Sequence, residues 1–412
     1  MRIILNIFAI LLVVNISSAT EQKKIGIQEI WGHVLEWHPL VQSHQYKLIS
    51  KSGEMEQASK KLNPELEFEL EEFGGNKARK GVSDALFQMS YSQTFERGNK
   101  RDNRVSVSQV EKELESLENQ KQLHELYFEM KEKYLETVFS RSKLELEQSL
   151  YKMTLEFENI LKKLVKYGKI SPLGLERAKI LRSTSEIDLE DSKNEYQTAK
   201  MELFSLFNGF TKIDQYELKS LEKLPNLEKL TWDKSLVKKI INKKNDLQLE
   251  ILKLEKSHAK LDHTFGGAIQ NFNGNDETSF VLSYSIPLGF NDRNEGGIRA
   301  QNARVRVQEQ QSKHEMLDLK KETKKLINLV SLSQKTLSKL DKIILPSSER
   351  LYTQVIKAQS AGKSDYLEVL EARKNLVESR RLHLNTKREL YIFSNQIEKL
   401  YLNRDVELQC IN

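Results

Sequence analysis

The chain has 412 residues, of which 30% are charged and 38% hydrophobic, with a net charge of +6. Acidic and basic residues are intermixed along its whole length, the pattern of solvated helix faces, which gives no footing for nucleic-acid binding. The single cysteine, Cys410, excludes an internal disulfide, so a secreted form of this chain depends on packing or assembly.

Residues 1–19 read as an export signal: Arg2, then an apolar run from Ile3 to Ile16, then Ser17-Ser18-Ala19 as a cleavage site. About 14 apolar residues fall short of the ~20 that a spanning helix needs, so cleavage is favoured over anchoring. Residues 20–62 form an N-terminal helical segment, and residues 63–97 form a first β-hairpin. In that hairpin Leu66, Phe68 and Leu70 alternate with Glu65, Glu67, Glu69 and Glu71, and Ala85, Phe87, Met89 and Tyr91 alternate with Asp84, Gln88, Ser90 and Ser92. The loop from Gly74 to Gly81 joins the two strands. Four glutamates on one face require continuous water, and the other face requires an apolar cover.

Residues 98–207 form a long helical hairpin. From Arg104 to Lys166 no Pro or Gly interrupts a helix-favouring run, roughly 94 Å at 1.5 Å per residue. Leu146, Leu150, Met153, Phe157, Ile160 and Leu164 step alternately by four and three, which predicts a coiled-coil seam. A Gly168-Lys169 turn leads to a returning helix from Leu173 to Phe207. Residues 208–262 are an equatorial connector and helix. A second β-hairpin follows at 263–290: Phe265 and Ile269 share one face of its first strand, and Phe280, Leu282, Tyr284 and Ile286 oppose Ser279, Ser283 and Ser285 in its second, with Asn273–Glu277 as the loop. A second long helical hairpin spans 291–403, its outgoing helix broken or kinked at Pro346 and its return beginning after Gly362-Lys363; 404–412 is a tail.

The two halves repeat. Ser90-Tyr91-Ser92 recurs as Ser283-Tyr284-Ser285 at an offset of 193, and Gly168-Lys169 recurs as Gly362-Lys363 at an offset of 194. The unit is a strand pair, a very long helix, a Gly-marked turn and a returning helix. Period-2 strands with aromatics near their ends are the mark of outer-membrane barrels, with Leu66, Phe68, Leu70, Phe87, Met89, Tyr91, Phe280, Leu282, Tyr284 and Ile286 as the lipid face. Four strands cannot close a barrel, since the smallest need about eight, and open edges are not viable in lipid. A homo-oligomer follows.

Asn63-Pro64-Glu65-Leu66 through Glu71-Glu72-Phe73-Gly74-Gly75, the Ser283 to Leu288 run with Asn291-Asp292-Arg293-Asn294 after it, and the two Gly-Lys turns together resemble the TolC family of outer-membrane efflux proteins, in particular the components of heavy-metal and other resistance-nodulation-division pumps. The likeness covers essentially the whole mature chain in order. It implies a mainly α protein with a membrane β-barrel: a trimer whose twelve strands, four per chain, continue into a periplasmic α-helical tunnel. It further implies a periplasmic adaptor, an inner-membrane pump of the resistance-nodulation-division type and outer-membrane lipid as partners. Export of metal cations, drugs or other small molecules, without bond chemistry, is the activity implied.

Carried over residue by residue, the resemblance places an aperture ring of acidic residues at Glu368 and Glu371 and adaptor-docking tips at Gly168, Lys169, Gly362 and Lys363. Plain turn geometry explains the glycines equally well. The family's resting lock uses an aspartate and an arginine where this chain has Gly174 and Ser364, so closure must differ; Lys169, Lys363, Asp365 and Tyr366 are the nearby substitutes. The histidines lack ligand spacing: His33, His38 and His44 step by five and six, and His258 and His263 by five. No metal site, cofactor site or catalytic constellation is read, and the protein is not expected to be an enzyme. The alternative is a non-conducting periplasmic coiled-coil adaptor or scaffold, which would normally carry one helical hairpin rather than two.

Overall fold

The computed structural model describes residues 23–401, apart from 80, 208–215, 220, 222–223, 225–231, 233–234, 275–276 and 361–363. The export signal, Cys410, the tail, Gly362 and Lys363 therefore lie outside the described residues, as does much of the connector. In chain order the elements are β1 (Lys23–Ile25), α1 (Ile27–Trp37), α2 (Pro39–Ser59), β2 (Glu65–Glu71), β3 (Leu86–Phe95), α3 (Lys100–Lys166), α4 (Pro172–Phe204), β4 (Tyr216–Leu218), α5 (Leu236–His258), β5 (His263–Phe272), β6 (Glu277–Ser285), α6 (Glu295–Lys339), α7 (Leu345–Ser360) and α8 (Tyr366–Tyr401). No described helix is long and apolar enough to cross a membrane.

The helix α3 holds 67 residues, about 100 Å at the α-helical rise, and runs from the sheet to the far tip. It ends in a Schellman motif: Lys169 N–H donates to the Leu164 carbonyl and Gly168 N–H to that of Val165, both at 2.9 Å, while Gly168 takes φ +68°. A side chain at that φ is strained, so the glycine is what lets the chain reverse. Ser171 then caps α4 by accepting from Leu173 N–H, with Pro172 at the first helical position.

In the second copy the outgoing helix runs on past Pro346, with its hydrogen-bond pattern altered rather than ended. Residues Leu340–Ile344 form a π-helical turn directly before Pro346, which lacks an N–H and would clash in a regular α-turn. The wider turn absorbs both defects.

Three apolar clusters hold the helices together. The largest gathers α1, α3, α4 and α5 around Ile30, Trp31, Phe128, Met130 and Phe204, and a second joins α6 to α8 through Leu326, Val330, Leu390 and Ile397. The third sits at the tip. The short strands β1 and β4 pair in parallel beside the first cluster, a contact that three-residue strands do not announce in sequence.

The heptad reading of α3 is corrected. Leu150, Phe157 and Leu161 are buried, as are Glu147, Thr154 and Glu158, whereas Ile160 is 40% exposed and Leu146, Met153 and Leu164 are half-buried. The buried stripe is set by two neighbours, α4 and α8, which both pack on α3. A helix between two partners buries a wider arc than a two-stranded seam, and that arc admits polar positions.

Candidate functional site: the open sheet and the helical tip

Two regions carry the candidate residues, one at each end of α3. At the first, β2, β3, β5 and β6 form one antiparallel sheet in that order, so the two hairpins join through β3 and β5. The register aligns Leu66, Tyr91, Gly267 and Leu282 across all four strands, and Phe68, Met89, Ile269 and Phe280 beside them. These residues, with Leu70, Phe87, Phe265 and Tyr284, lie on one face. Opposite them, Glu67, Ser90, Ala268 and Val281 align, and Glu69, Gln88, Gln270 and Ser279 form a polar row. Gln88 donates to Glu69 Oε2 at 2.6 Å, and Gln270 donates to Gln88 Oε1 at 2.6 Å.

The apolar face has no cover. Leu282 is 93% exposed and Phe280 81%, and all ten expected lipid-face residues are exposed. Ile286, the last of them, lies one residue past β6. An aromatic group closes the helix-side end of this face: Phe95 meets Phe265 edge-on at 5.7 Å and Phe265 lies 5.0 Å from Tyr284. Gly266 permits the close strand approach, since a Cβ there would stand 2.5 Å from Ser283 Oγ and 3.1 Å from the Tyr91 carbonyl oxygen. Among the described residues the outer edges of β2 and β6 have no partner strand.

At the far tip, Phe157, Leu161, Ala178 and Val369 pack into one core with Ile170, Leu175, Tyr366 and Leu370, joining both helical hairpins. Val369 packs in this core and Ala372 and Leu376 are buried on the same side of α8, whereas Glu368 and Glu371, one turn apart, are exposed. The Ser364 hydroxyl donates to Glu368 Oε2. Lys169 is exposed at the turn. Among the described residues no group of three or more His, Cys, Asp and Glu side chains is placed to hold a metal ion.

Among the described substitutes for the absent lock, Tyr366 bridges the two hairpins. Its hydroxyl donates to the Gly174 carbonyl at 3.2 Å, and its ring stacks on Phe157 at 5.9 Å. Burial pushes the Tyr366 hydroxyl upward from its ordinary pKa, opposed by Arg177, so it stays a donor at neutral pH. Gly174 thus meets Tyr366 through its backbone, where a side chain would have been expected to act. Replacing Tyr366 with Phe keeps the stack and removes only this bond, a loss of about 1 kcal/mol. The expected result is faster backbone amide exchange over the first turns of α4 and α8, while the melting temperature of the helical part stays within a few degrees.

Further along α3 toward the sheet lies a contact that sequence reasoning missed. Arg381 of α8 donates from Nε and Nη2 to both oxygens of Glu147 on α3, at 2.8 and 2.7 Å, and from Nη2 to Asp188 of α4 at 2.6 Å. The Glu147 side chain is 2% exposed. The bonds to Glu147, and then to Asp188, raise the Arg381 pKa against burial. One guanidinium therefore ties three helices, and partners separated by 234 positions leave no local signal.

Residues 253–401, which hold β5, β6 and the second helical hairpin, match the family described as outer membrane efflux protein. The chain is 22% identical over 361 residues to the cobalt-zinc-cadmium resistance protein CzcC of Cupriavidus metallidurans, covering 86% of this chain and 84% of that protein. Among solved structures it is similar to the outer membrane protein VceC of Vibrio cholerae, with a TM-score of 0.76 at 15% identity over 91% of this chain and 96% of that one. It is also similar to the outer-membrane channel OprN, with a TM-score of 0.77 at 12% identity over 92% and 90%. At such identities the structural likeness speaks for the fold alone, and that fold is shared over about nine-tenths of this chain.

Proposed function

We propose that this protein is the outer-membrane exit duct of a tripartite export system, a homotrimer whose three four-stranded sheets close one twelve-stranded barrel. The observation that carries this reading is the open sheet: an exposed apolar face and, among the described residues, two unpaired edges, above helices far longer than a globular core uses. Lipid covers the apolar face, and neighbouring copies cover the edges, because no open edge survives in a bilayer. Water in the lumen meets the glutamates of β2.

The helices support lateral assembly as well. On α4, Leu173, Ile180, Ile187 and Met201 are 72%, 66%, 61% and 47% exposed at multiples of seven residues, a seam with no partner inside one chain. A non-conducting scaffold would leave both this seam and the sheet in water. The domain divisions drawn from the sequence then correspond to barrel, tunnel and connector, and the tip around Gly168, Lys169, Gly362 and Lys363 docks a periplasmic adaptor carrying an inner-membrane pump.

In the trimer Glu368 and Glu371 form an acidic ring at the narrow end, attracting cations and repelling anions. Metal cations are the cargo class most consistent with that ring and with the name of CzcC. Purified protein in planar bilayers is expected to conduct with a preference for cations. The double change Glu368→Ala and Glu371→Ala should lower that preference severalfold. A conducting double variant with unaltered selectivity refutes the ring; absence of any conductance, alongside a soluble monomeric protein, refutes the duct.

A further inference from the structure

The internal repeat fixes how the two free edges meet. This inference rests on the oligomeric reading above and adds the residues that pair. The strand β3 maps onto β6 at an offset of 193, through Ser90-Tyr91-Ser92 and Ser283-Tyr284-Ser285. The strand β2 maps onto β5 at an offset of 199, because Leu66 pairs with Tyr91 and Phe265 pairs with Tyr284. Sequence gives the same offset independently: Lys61-Leu62-Asn63 before β2 recurs as Lys260-Leu261-Asp262 before β5.

Inside one chain the junction between repeats is the β3–β5 pair, in which Tyr91 stands opposite Gly267. The junction between copies joins the corresponding strands, β6 of one and β2 of the next. Applying the two offsets to the observed pair turns Tyr91 into Tyr284 and Gly267 into Phe68. We infer that β6 pairs antiparallel with β2 of the next copy in the register Tyr284 opposite Phe68, with Leu282 opposite Leu70, Ser283 opposite Glu69 and Ser285 opposite Glu67.

Three physical requirements are met by this register. It keeps both faces intact, since Tyr284, Leu282, Phe68 and Leu70 are all on the apolar face and the serines and glutamates on the polar one. It sets no carboxylate of β2 directly opposite another charge of like sign. It also closes the barrel at an acceptable tilt. Crossing one copy from Leu66 through Tyr91, Gly267 and Leu282 arrives at Leu70 of the next, an advance of four residues.

Three copies then advance about as many residues as there are strands, and equal shear and strand number give a tilt of about 36°, inside the range of roughly 35–45° for membrane barrels. A slip must be by two residues to preserve the faces. Slipping one way gives a tilt of about 20°, far below that range, and the other about 47°, just above it, so between the last two registers it is the repeat that decides.

Cysteine pairs test the register in a Cys410→Ser background. The combination Tyr284→Cys with Phe68→Cys is expected to give covalent trimers on denaturing gels under mild oxidation. The slipped pairs, Tyr284→Cys with Leu66→Cys and Tyr284→Cys with Leu70→Cys, should yield at least fivefold less. The equivalent junction within one chain, Tyr91→Cys with Gly267→Cys, calibrates the yield that this geometry allows. Highest yield from a slipped pair overturns the register. Trimers that none of the pairs cross-links, although the calibrating pair closes, overturn the edge pairing while leaving the duct standing. A chain that stays monomeric without any of these cysteines overturns the oligomeric duct and this register together.

Discussion

Replacing Leu282 with Arg is expected to abolish the outer-membrane oligomer. Leu282 is 93% exposed in the single chain, so in water the change would cost almost nothing. In lipid an arginine near the middle of a barrel strand costs about 2–4 kcal/mol, and three copies multiply the penalty. The control is Glu67→Arg, also at an exposed position but on the polar face among Glu65, Glu69 and Glu71. A lumen accepts that side chain in water, and the neighbouring carboxylates favour it. On semi-native gels of outer-membrane fractions the first variant should lose the heat-modifiable oligomer and the second should keep it. Equal tolerance of both would mean that the apolar face does not meet lipid.

Replacing Arg381 with Ala is expected to destabilise the packed helices strongly. The change strands Glu147, whose side chain is 2% exposed, as a buried carboxylate without its cation. Such a loss costs about 3–5 kcal/mol. Asp188, 38% exposed, falls back on water and adds little. Arg381→Lys keeps the charge but loses the two-pronged bond to Glu147, so an intermediate effect is expected. The paired change Glu147→Leu with Arg381→Met removes both charges and should recover most of the lost stability, because a well-packed apolar pair does not carry the desolvation cost. Thermal unfolding in detergent, followed by helical circular dichroism, orders these variants. A melting temperature for Arg381→Ala within a degree or two of the parent would show that the triad does not brace the helices.

The strands were legible because their signal is local. In Glu65–Glu71 every second residue is acidic and the residues between are apolar, and a period of two with a charged face has one reading as backbone. The same holds for β6, where serines alternate with Phe280, Leu282 and Tyr284. Helix lengths were legible for a like reason, since Pro and Gly punctuate them. The placement of Pro346 marked where the helix departs from regular α geometry, although the π-helical turn that accommodates it could not be named in advance.

The seam of α3 was misplaced by part of a turn. Its apolar residues suit several faces, and Leu161 rather than Ile160 is buried because α4 and α8 together choose the face. At the tip, Glu368 and Glu371 were identified through the family pattern, and the structure leaves them exposed on α8 because Val369 and Ala372 take the buried side. The bond from Tyr366 to Gly174 spans 192 positions and depends on a backbone carbonyl, which no side-chain motif encodes.

By itself, the sequence determined the period of each strand, the reach of each helix and the duplication, since these follow from backbone geometry and from the solvent each side chain requires. Only the tertiary structure decided that the two hairpins join through β3 and β5, which helix face is buried, and which distant charges meet at Arg381. Those outcomes depend on contacts between residues far apart in the chain, where many partners have suitable chemistry and three-dimensional packing selects among them.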